Sequence, residues 1–284
     1  MVDTHCHLNF HAFDKDVDEV AKRAFDAGVR AIVNVGTSIP SSRKAIELAH
    51  KYDNMYAIVG IHPHHADKAD SEFEGEIQKD WFENLRKLAK EEKVVGIGET
   101  GLDYHYYESN GIVDKKLQEE AFRKQIELSI EIGLSLQIHN RRAGEDIVQI
   151  LAEYKSRFQD PPGMFHCFAG SFEVLKKALD LGFYIGYDGN VTYKGIATGE
   201  TVELADLVKA TPIDRILVET DSPFLTPVPF RGQRNEPKNV IIVGQYLAQL
   251  KGVSFEELLR ATNSNFETLF KVLPRSGLVP SGLE

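Results

Sequence analysis

The chain has 284 residues, of which 42% are hydrophobic and 27% charged, and this ordinary globular composition excludes a disordered or fibrous protein. Its formal net charge of -10 argues against a protein that coats duplex DNA, because such proteins depend on many lysine and arginine contacts to phosphates. Without a membrane-length apolar run or a signal-peptide pattern, and with only Cys6 and Cys167 as cysteines, we expect a cytoplasmic protein with reduced thiols.

Short β-like runs alternate with amphipathic helical stretches along nearly the whole chain. Most runs lack polar alternation, as expected for parallel strands that are buried on both faces. Gly28 and Gly182 stand where helices should end, and Pro40 stands where one should begin. Two further helical stretches, 239–250 and 255–272, follow the eighth run. The eight runs are 2–8, 30–36, 55–61, 94–99, 134–139, 164–168, 183–188 and 215–221.

Eight strand–helix repeats without a change in composition predict one α/β domain over residues 1–273. The expected fold is a single (β/α)8 TIM barrel with extra C-terminal helices. Residues 274–284 contain two Pro and two Gly and are predicted to form a flexible C-terminal tail. Several links from a strand to the next helix are long, whereas the links back to a strand are short. We therefore expect the functional site at the carboxyl ends of the strands.

Ionisable residues recur at matching depth near the ends of the predicted strands. Two histidines that lie two apart in the first run should both point into the barrel mouth, because a strand has a period of two. Carboxylates buried among imidazoles would be costly without a cation, so we interpret the set as metal ligands rather than a structural polar cluster. The six residues are His5, His7, Glu99, His139, His166 and Asp221.

Six ligands exceed what one tetrahedral ion uses, and a carboxylate can bridge two ions. The sequence therefore predicts two divalent metal ions as cofactors, with Mg, Mn and Zn as the candidates. Imidazole-rich ligation suits Zn, Mn, Fe or Ni better than Mg. Two such ions would outweigh the two carboxylates and give the mouth a net positive charge for an anionic substrate.

Other polar residues fall in segments that face the same mouth. His62 and His64 flank Pro63 in a long loop, where they either form a stiff turn with solvated rings or contact the substrate. Three arginines predict a phosphate clamp, because a planar guanidinium binds phosphate through two parallel hydrogen bonds. These arginines are Arg141, Arg231 and Arg234.

Two acidic residues precede proposed ligands by two positions. Asp3 precedes His5 and Glu219 precedes Asp221, so we expect both carboxylates to point inward one layer deeper. There they would orient the metal ligands or act as buried hydrogen-bonding partners, and Glu219 could itself be a ligand.

The chain resembles the TatD family of metal-dependent deoxyribonucleases, which are amidohydrolase-like barrels. The resemblance implies that His5, His7 and Asp221 serve one metal ion, that His139 and His166 serve the other, and that Glu99 bridges them. It also favours substrate contact over a solvated turn for the two histidines around Pro63. The segments that carry it are 3–8, 60–64, 98–103, 138–141, 166–170, 219–225 and 229–237, in family order.

Added to the predicted metal ligands, the resemblance implies a divalent-metal-dependent hydrolase that cleaves the phosphodiester bonds of DNA with a metal-activated water. Asp221 is the expected catalytic proton acceptor, and single-stranded or frayed ends are the expected substrate for an exonuclease. The nucleic acid would be held locally at the metal site, with no membrane contact and no obligate protein partner. Two alternatives remain: an ester or amide hydrolase, such as a D-aminoacyl-tRNA deacylase or lactonase, and a catalytically silent scaffold.

Overall fold

The computed structural model describes residues 1–68, 80–108, 111–196 and 199–272, together with the backbone of 72–73 and 76–77. Its strands are β1 Val2–Cys6, β2 Ala31–Val35, β3 Met55–Val59, β4 Glu72–Phe73, β5 Glu76–Ile77, β6 Val94–Asp103, β7 Ser135–Arg141, β8 Gly163–Phe165, β9 Tyr184–Tyr187 and β10 Ile216–Val218. Its α-helices are α1 Val17–Asp26, α2 Ile39–Lys51, α3 Trp81–Leu88, α4 Lys115–Ile132, α5 Gly144–Glu153, α6 Phe172–Asp180, α7 Leu204–Ala210, α8 Val240–Lys251 and α9 Phe255–Phe270.

Eight of the strands form one parallel sheet in the order β1-β2-β3-β6-β7-β8-β9-β10. The sheet curls into a nearly closed barrel, because Cys6, the last residue of β1, pairs in parallel with Ser222 after β10. The two short strands β4 and β5 pair with each other, outside the barrel. The predicted (β/α)8 fold is confirmed, with α8 as the helix that follows the eighth barrel strand and α9 as an additional C-terminal helix. The predicted tail at 274–284 lies outside the described residues, so the domain boundary before it stays a prediction.

Local sequence signals account for several helix ends. Gly28 after α1 and Gly182 after α6 have φ values of +93° and +90°, which glycine adopts without the steric penalty of a Cβ atom. Pro40 lies in the first turn of α2, where its missing N–H has no intrahelical partner to lose. In the described part of the chain, no helix is long and apolar enough to cross a membrane.

The barrel interior is apolar at the amino-terminal ends of its strands. Val2, Ala31 and Tyr56 belong to one buried cluster there, and α9 adds Phe266, Leu269 and Phe270 to it. The last helix thus closes the end of the barrel opposite the long loops. Polar side chains are left to the carboxyl ends of the strands, where the long loops also lie.

The first strand changes register with its neighbour between Asp3 and Cys6. Val2 packs in the apolar interior cluster, and His5, three residues later, also faces the interior of the barrel. Regular alternation would place residues three apart on opposite faces. The irregularity therefore allows one strand to supply both the apolar floor and the polar mouth.

Candidate metal centre

The end of β1 supplies two buried histidines. The Nε2 atoms of His5 and His7 lie 3.0 Å apart. The Nδ1 of His7 donates to the carbonyl oxygen of Val35 at 2.9 Å, which leaves its Nε2 atom directed into the mouth. Burial, followed by the neighbouring imidazoles of His166 and His7, lowers the pKa of His5 well below its usual value. His5 is therefore a neutral ring, which is the form that binds metal.

Glu99, in the middle of β6, lies at the centre of the histidines. Its Oε2 is 3.8 Å from His5 Nε2 and 3.7 Å from His7 Nε2. Its Oε1 is 2.7 Å from His139 Nδ1 and 3.9 Å from His166 Nε2. Burial alone would raise the pKa of Glu99, but the surrounding imidazoles hold it well below its usual value. An ionised carboxylate thus turns one oxygen to each of two pairs of histidines.

Asp221 joins the β1 histidines at the seam of the barrel. Its Oδ1 lies 3.6 Å from His5 Nε2 and 3.4 Å from His7 Nε2. Its backbone N–H donates to the carbonyl oxygen of His5 at 2.9 Å. The φ of Asp221 is +52°, a left-handed conformation that Asp and Asn tolerate better than most residues. The structure therefore brings together the three residues predicted to share one ion.

The donor set fits divalent cations. Neutral imidazole nitrogens and carboxylate oxygens are ligands for zinc and related ions, and here the candidate atoms of each group lie within 4.8 Å of one another. In the described part of the chain, the groups are His5 with His7 and Glu99, His62 with Glu99 and His139, and His5 with His166 and Glu219.

Glu219 lies beneath His166. The Nδ1 of His166 donates to Glu219 Oε1 at 2.9 Å, and the backbone N–H of Cys167 donates to the same oxygen at 2.5 Å. Burial lowers the pKa of His166, but the Glu219 carboxylate outweighs burial and raises it to about 10. A Cβ atom on Gly186 would lie 2.7 Å from Glu219 Oε2, so the carboxylate fills space that only glycine leaves open. This contact leaves the other nitrogen of His166 directed at Glu99.

Asp3 takes a different position from the one that regular alternation predicts. Its carboxylate accepts hydrogen bonds from Thr220 N at 2.9 Å and Thr220 Oγ1 at 2.6 Å, and its Oδ1 lies 3.4 Å from His5 N. Burial raises the pKa of Asp3 well above its usual value, against the opposing effect of these hydrogen bonds. Because of the register shift in β1, Asp3 joins β1 to the segment after β10 instead of lying below the His5 ring.

Asp103, the last residue of β6, is a site residue that the sequence interpretation missed. Its Oδ2 accepts from His139 Nε2 at 3.0 Å and from Tyr107 Oη at 2.9 Å, and it lies 3.0 Å from His64 Nε2. Burial opposes ionisation, but the hydrogen bonds from His139 and His64 lower the pKa of Asp103. In turn, Asp103 and Glu99 outweigh burial and raise the pKa of His139 to about 9. The signal was available, because Asp103 lies four residues after Glu99 on the same strand.

The loop after β3 brings His62 and His64 to the mouth. His62 Nε2 lies 3.6 Å from Glu99 Oε1, and its ring centroid is 4.4 Å from that of His139. The backbone N–H of His64 donates to His62 Nδ1 at 3.1 Å, which holds the two rings together. Burial is the main reason that the pKa of His62 lies well below its usual value. His62 therefore lies among the candidate ligands themselves, closer to the centre than its position in a loop suggested.

The three arginines have different surroundings. Arg141 donates to the hydroxyl of Tyr107 at 2.6 Å, next to the Asp103 carboxylate. The guanidinium of Arg231 stacks over the ring of Tyr193, 4.0 Å from its centroid.

Arg234 binds protein groups instead of facing an open space. It donates to both carboxylate oxygens of Asp16 at 2.8 and 2.6 Å and to the carbonyl oxygen of Ala12 at 2.6 Å. The predicted clamp is therefore not a single group of free guanidinium donors, because the donors of Arg234 already tie the loop after β10 to the loop after β1.

Comparison with known proteins shows the family of this chain. The family described as TatD related DNase matches residues 2–271. The uncharacterized metal-dependent hydrolase YabD of Bacillus subtilis is 42% identical over 272 residues, which are 96% of this chain and 99% of that protein. The 3'-5' ssDNA/RNA exonuclease TatD of Shigella flexneri is 32% identical over 277 residues, with 96% and 99% covered. The structure of YJJV, a TatD homolog from Escherichia coli, has a TM-score of 0.84 and 28% identity over 96% of this chain and 98% of its own. The chain therefore belongs to the TatD family of metal-dependent hydrolases.

Proposed function

We propose that this hydrolase cleaves phosphodiester bonds in DNA as an exonuclease on single-stranded or frayed ends, with two divalent metal ions. The observation that carries the proposal is the position of Glu99, whose two oxygens face two different pairs of imidazoles. A carboxylate in that position suits a bridge between two cations. As the resemblance to the TatD family implies, His5, His7 and Asp221 would hold one ion, and His139 and His166 would hold the other.

The roles of the protein groups follow from their positions. The ions, when bound, lower the pKa of water and stabilise negative charge on a phosphoryl oxygen. Asp221 orients the attacking water and accepts its proton, because its carboxylate is partly open to the mouth while its backbone is fixed to β1. Glu219 keeps the His166 ring in the orientation that directs its free nitrogen to Glu99.

Phosphate binding is assigned to the polar groups around the cluster. His62 lies next to Glu99, and His64 lies next to Asp103. Arg141 reaches the same place through its hydrogen bond to the Tyr107 hydroxyl. In the described part of the chain Arg231 has no ion pair within 4.0 Å, so its donors are open to a phosphate. The net charge of -10 supports a local grip at the mouth rather than a broad duplex-binding surface.

The substrate class and the location belong to the same proposal. A relative of this chain is named a 3'-5' ssDNA/RNA exonuclease, which supports a single-stranded nucleic acid and makes RNA the first competitor to test. Both cysteines are free thiols, which supports the cytoplasmic location expected from composition.

The test uses purified protein with metal content measured by elemental analysis. Labelled single-stranded DNA, duplex DNA and single-stranded RNA are incubated with and without a chelator, beside a charged D-aminoacyl-tRNA and a panel of lactones. We expect shortening of single-stranded DNA that stops with the chelator and returns with Mg, Mn or Zn. Undiminished cleavage after full removal of metal, or turnover of only the tRNA ester or a lactone, would show that the proposal is wrong.

A further inference from the structure

Two aromatic side chains stand beside the metal centre, and neither has a role in it. The ring of Phe10 lies parallel to that of His7, with centroids 4.3 Å apart and an interplanar angle of 12°. The ring of Phe224 lies next to Phe10 at 6.3 Å and an angle of 73°, and Phe224 is 52% exposed. The two rings form an open corner that begins one ring away from a candidate metal ligand. We call this corner the aromatic corner.

The exposure of Phe224 does not come from a loose backbone. Its N–H donates to the carbonyl oxygen of Asp221 at 2.8 Å, which closes a turn directly after the candidate proton acceptor. The buried Asn235 side chain donates to the carbonyl oxygens of Thr220 at 2.8 Å and Phe224 at 2.7 Å. The backbone before and after the turn is thus fixed by hydrogen bonds, and it presents the exposed Phe224 ring to solvent beside the site.

We propose that the aromatic corner stacks the nucleobase next to the phosphate that is cleaved, with Phe224 as the specificity-determining residue. The inference rests on the proposed function and deepens it. A base offers a π face of any sequence to an aromatic ring, whereas a paired base inside a duplex is already stacked on both sides. A site that must stack a base beside the metal centre therefore selects a single strand or a frayed end.

The charges around the corner fit this occupant. Arg231 lies on the same loop as Phe224, and its guanidinium stacks over the ring of Tyr193. The loop that carries Tyr193 is joined to the loop that carries Arg231, because Tyr193 Oη donates to the carbonyl oxygen of Thr226 at 2.8 Å. A strand that places one phosphate at the metal centre and one base on Phe224 would thus have the Arg231 guanidinium nearby on the same loop.

The experiment compares strands that carry a base at the tested position with strands that carry an abasic site there. Stacking on an aromatic side chain changes affinity by roughly 5- to 150-fold per base. For the wild-type protein, we expect the KM of the base-bearing strand to be lower than that of the abasic strand by a factor in this range. In Phe224→Ala, the two strands should have nearly equal KM values. Phe224→Trp should retain the preference, whereas Phe224→Leu, which keeps an apolar side chain without a π face, should lose most of it. The matched control is Phe172→Ala, because Phe172 has a similar exposure of 49% and begins α6.

Binding is measured separately with a strand that contains 2-aminopurine, whose emission falls when it stacks. Quenching by the wild-type protein and by Phe224→Trp, but not by Phe224→Ala, supports stacking of a base on Phe224. If no strand is cleaved, base stacking still stands and the proposed function fails. If the wild-type protein cleaves single-stranded DNA but Phe224→Ala keeps the full preference and the full quenching, the proposed function stands and the inference is wrong. Equal losses in Phe224→Ala and Phe172→Ala would also overturn it.

Discussion

Asp221→Asn is the substitution that isolates proton transfer from the rest of the site. Asn has the same shape as Asp and tolerates the left-handed φ of +52° equally well, so the turn after β10 should be retained. The backbone hydrogen bond to His5 does not involve the side chain and is also retained. What changes is the negative charge that lies 3.4 Å from His7 Nε2 and its ability to accept a proton.

The expected loss can be set from the chemistry. A positioned general base contributes about 10²- to 10⁴-fold to a hydrolytic rate. We therefore expect kcat on single-stranded DNA to fall by about that factor in Asp221→Asn when metal is supplied in excess. Asp221→Ala should add a cost of about 1–2 kcal/mol in the free energy of unfolding, because Ala has no side-chain group to compensate the left-handed conformation.

The assay combines single-turnover cleavage of a labelled strand with elemental analysis of the same samples. Thermal unfolding separates the backbone effect of Ala from the chemical effect of Asn. The control is Asp18→Asn, because Asp18 is an exposed carboxylate that binds Lys51 on the surface of the helices. An Asp221→Asn protein that carries its full metal complement and keeps the wild-type rate would refute the assigned role of Asp221 as proton acceptor.

Three further outcomes follow from other contacts. Gly186→Ala should lower activity by about 10- to 100-fold, because the added Cβ displaces the carboxylate that orients His166; unchanged cleavage kinetics would contradict this. Metal affinity should rise with pH by up to about tenfold per unit for each displaced proton, because pKa values of about 9 and about 10 leave His139 and His166 protonated at pH 7. Calorimetry in buffers of different ionisation enthalpy should show this proton release on metal binding. The same protons also stabilise the metal-free protein below about pH 6.5, and that stability is lost as pH rises through 9 and 10. Arg234→Ala should reduce the free energy of unfolding by no more than about 1 kcal/mol, because its ion pair with Asp16 is partly exposed; a much larger drop in urea unfolding would contradict this.

The sequence predicted the barrel and most of the centre because both depend on local patterns. Buried strands leave apolar runs, and a period of two correctly placed His5 and His7 on one face. The hydrogen bonds of Asp3 to Thr220 could not be predicted, because a register shift is set by pairing with a distant strand, which the local pattern does not contain.

The surroundings of the loop residues could not be predicted in the same way. Arg234 pairs with Asp16, more than two hundred positions earlier in the chain, and only the closure of the barrel brings them together. The position of His62 beside Glu99 depends on how a long loop folds over the mouth, and loop paths carry little periodic signal.

The closure of the barrel by α9 decides the route of any polymeric substrate. Because Phe266 and its neighbours seal one pole, a strand cannot thread through the protein and emerge on the far side. On the proposed function, a strand would therefore enter from the mouth, and each released fragment would leave by the same opening. Release of the product would then have to precede or accompany the advance of the remaining strand.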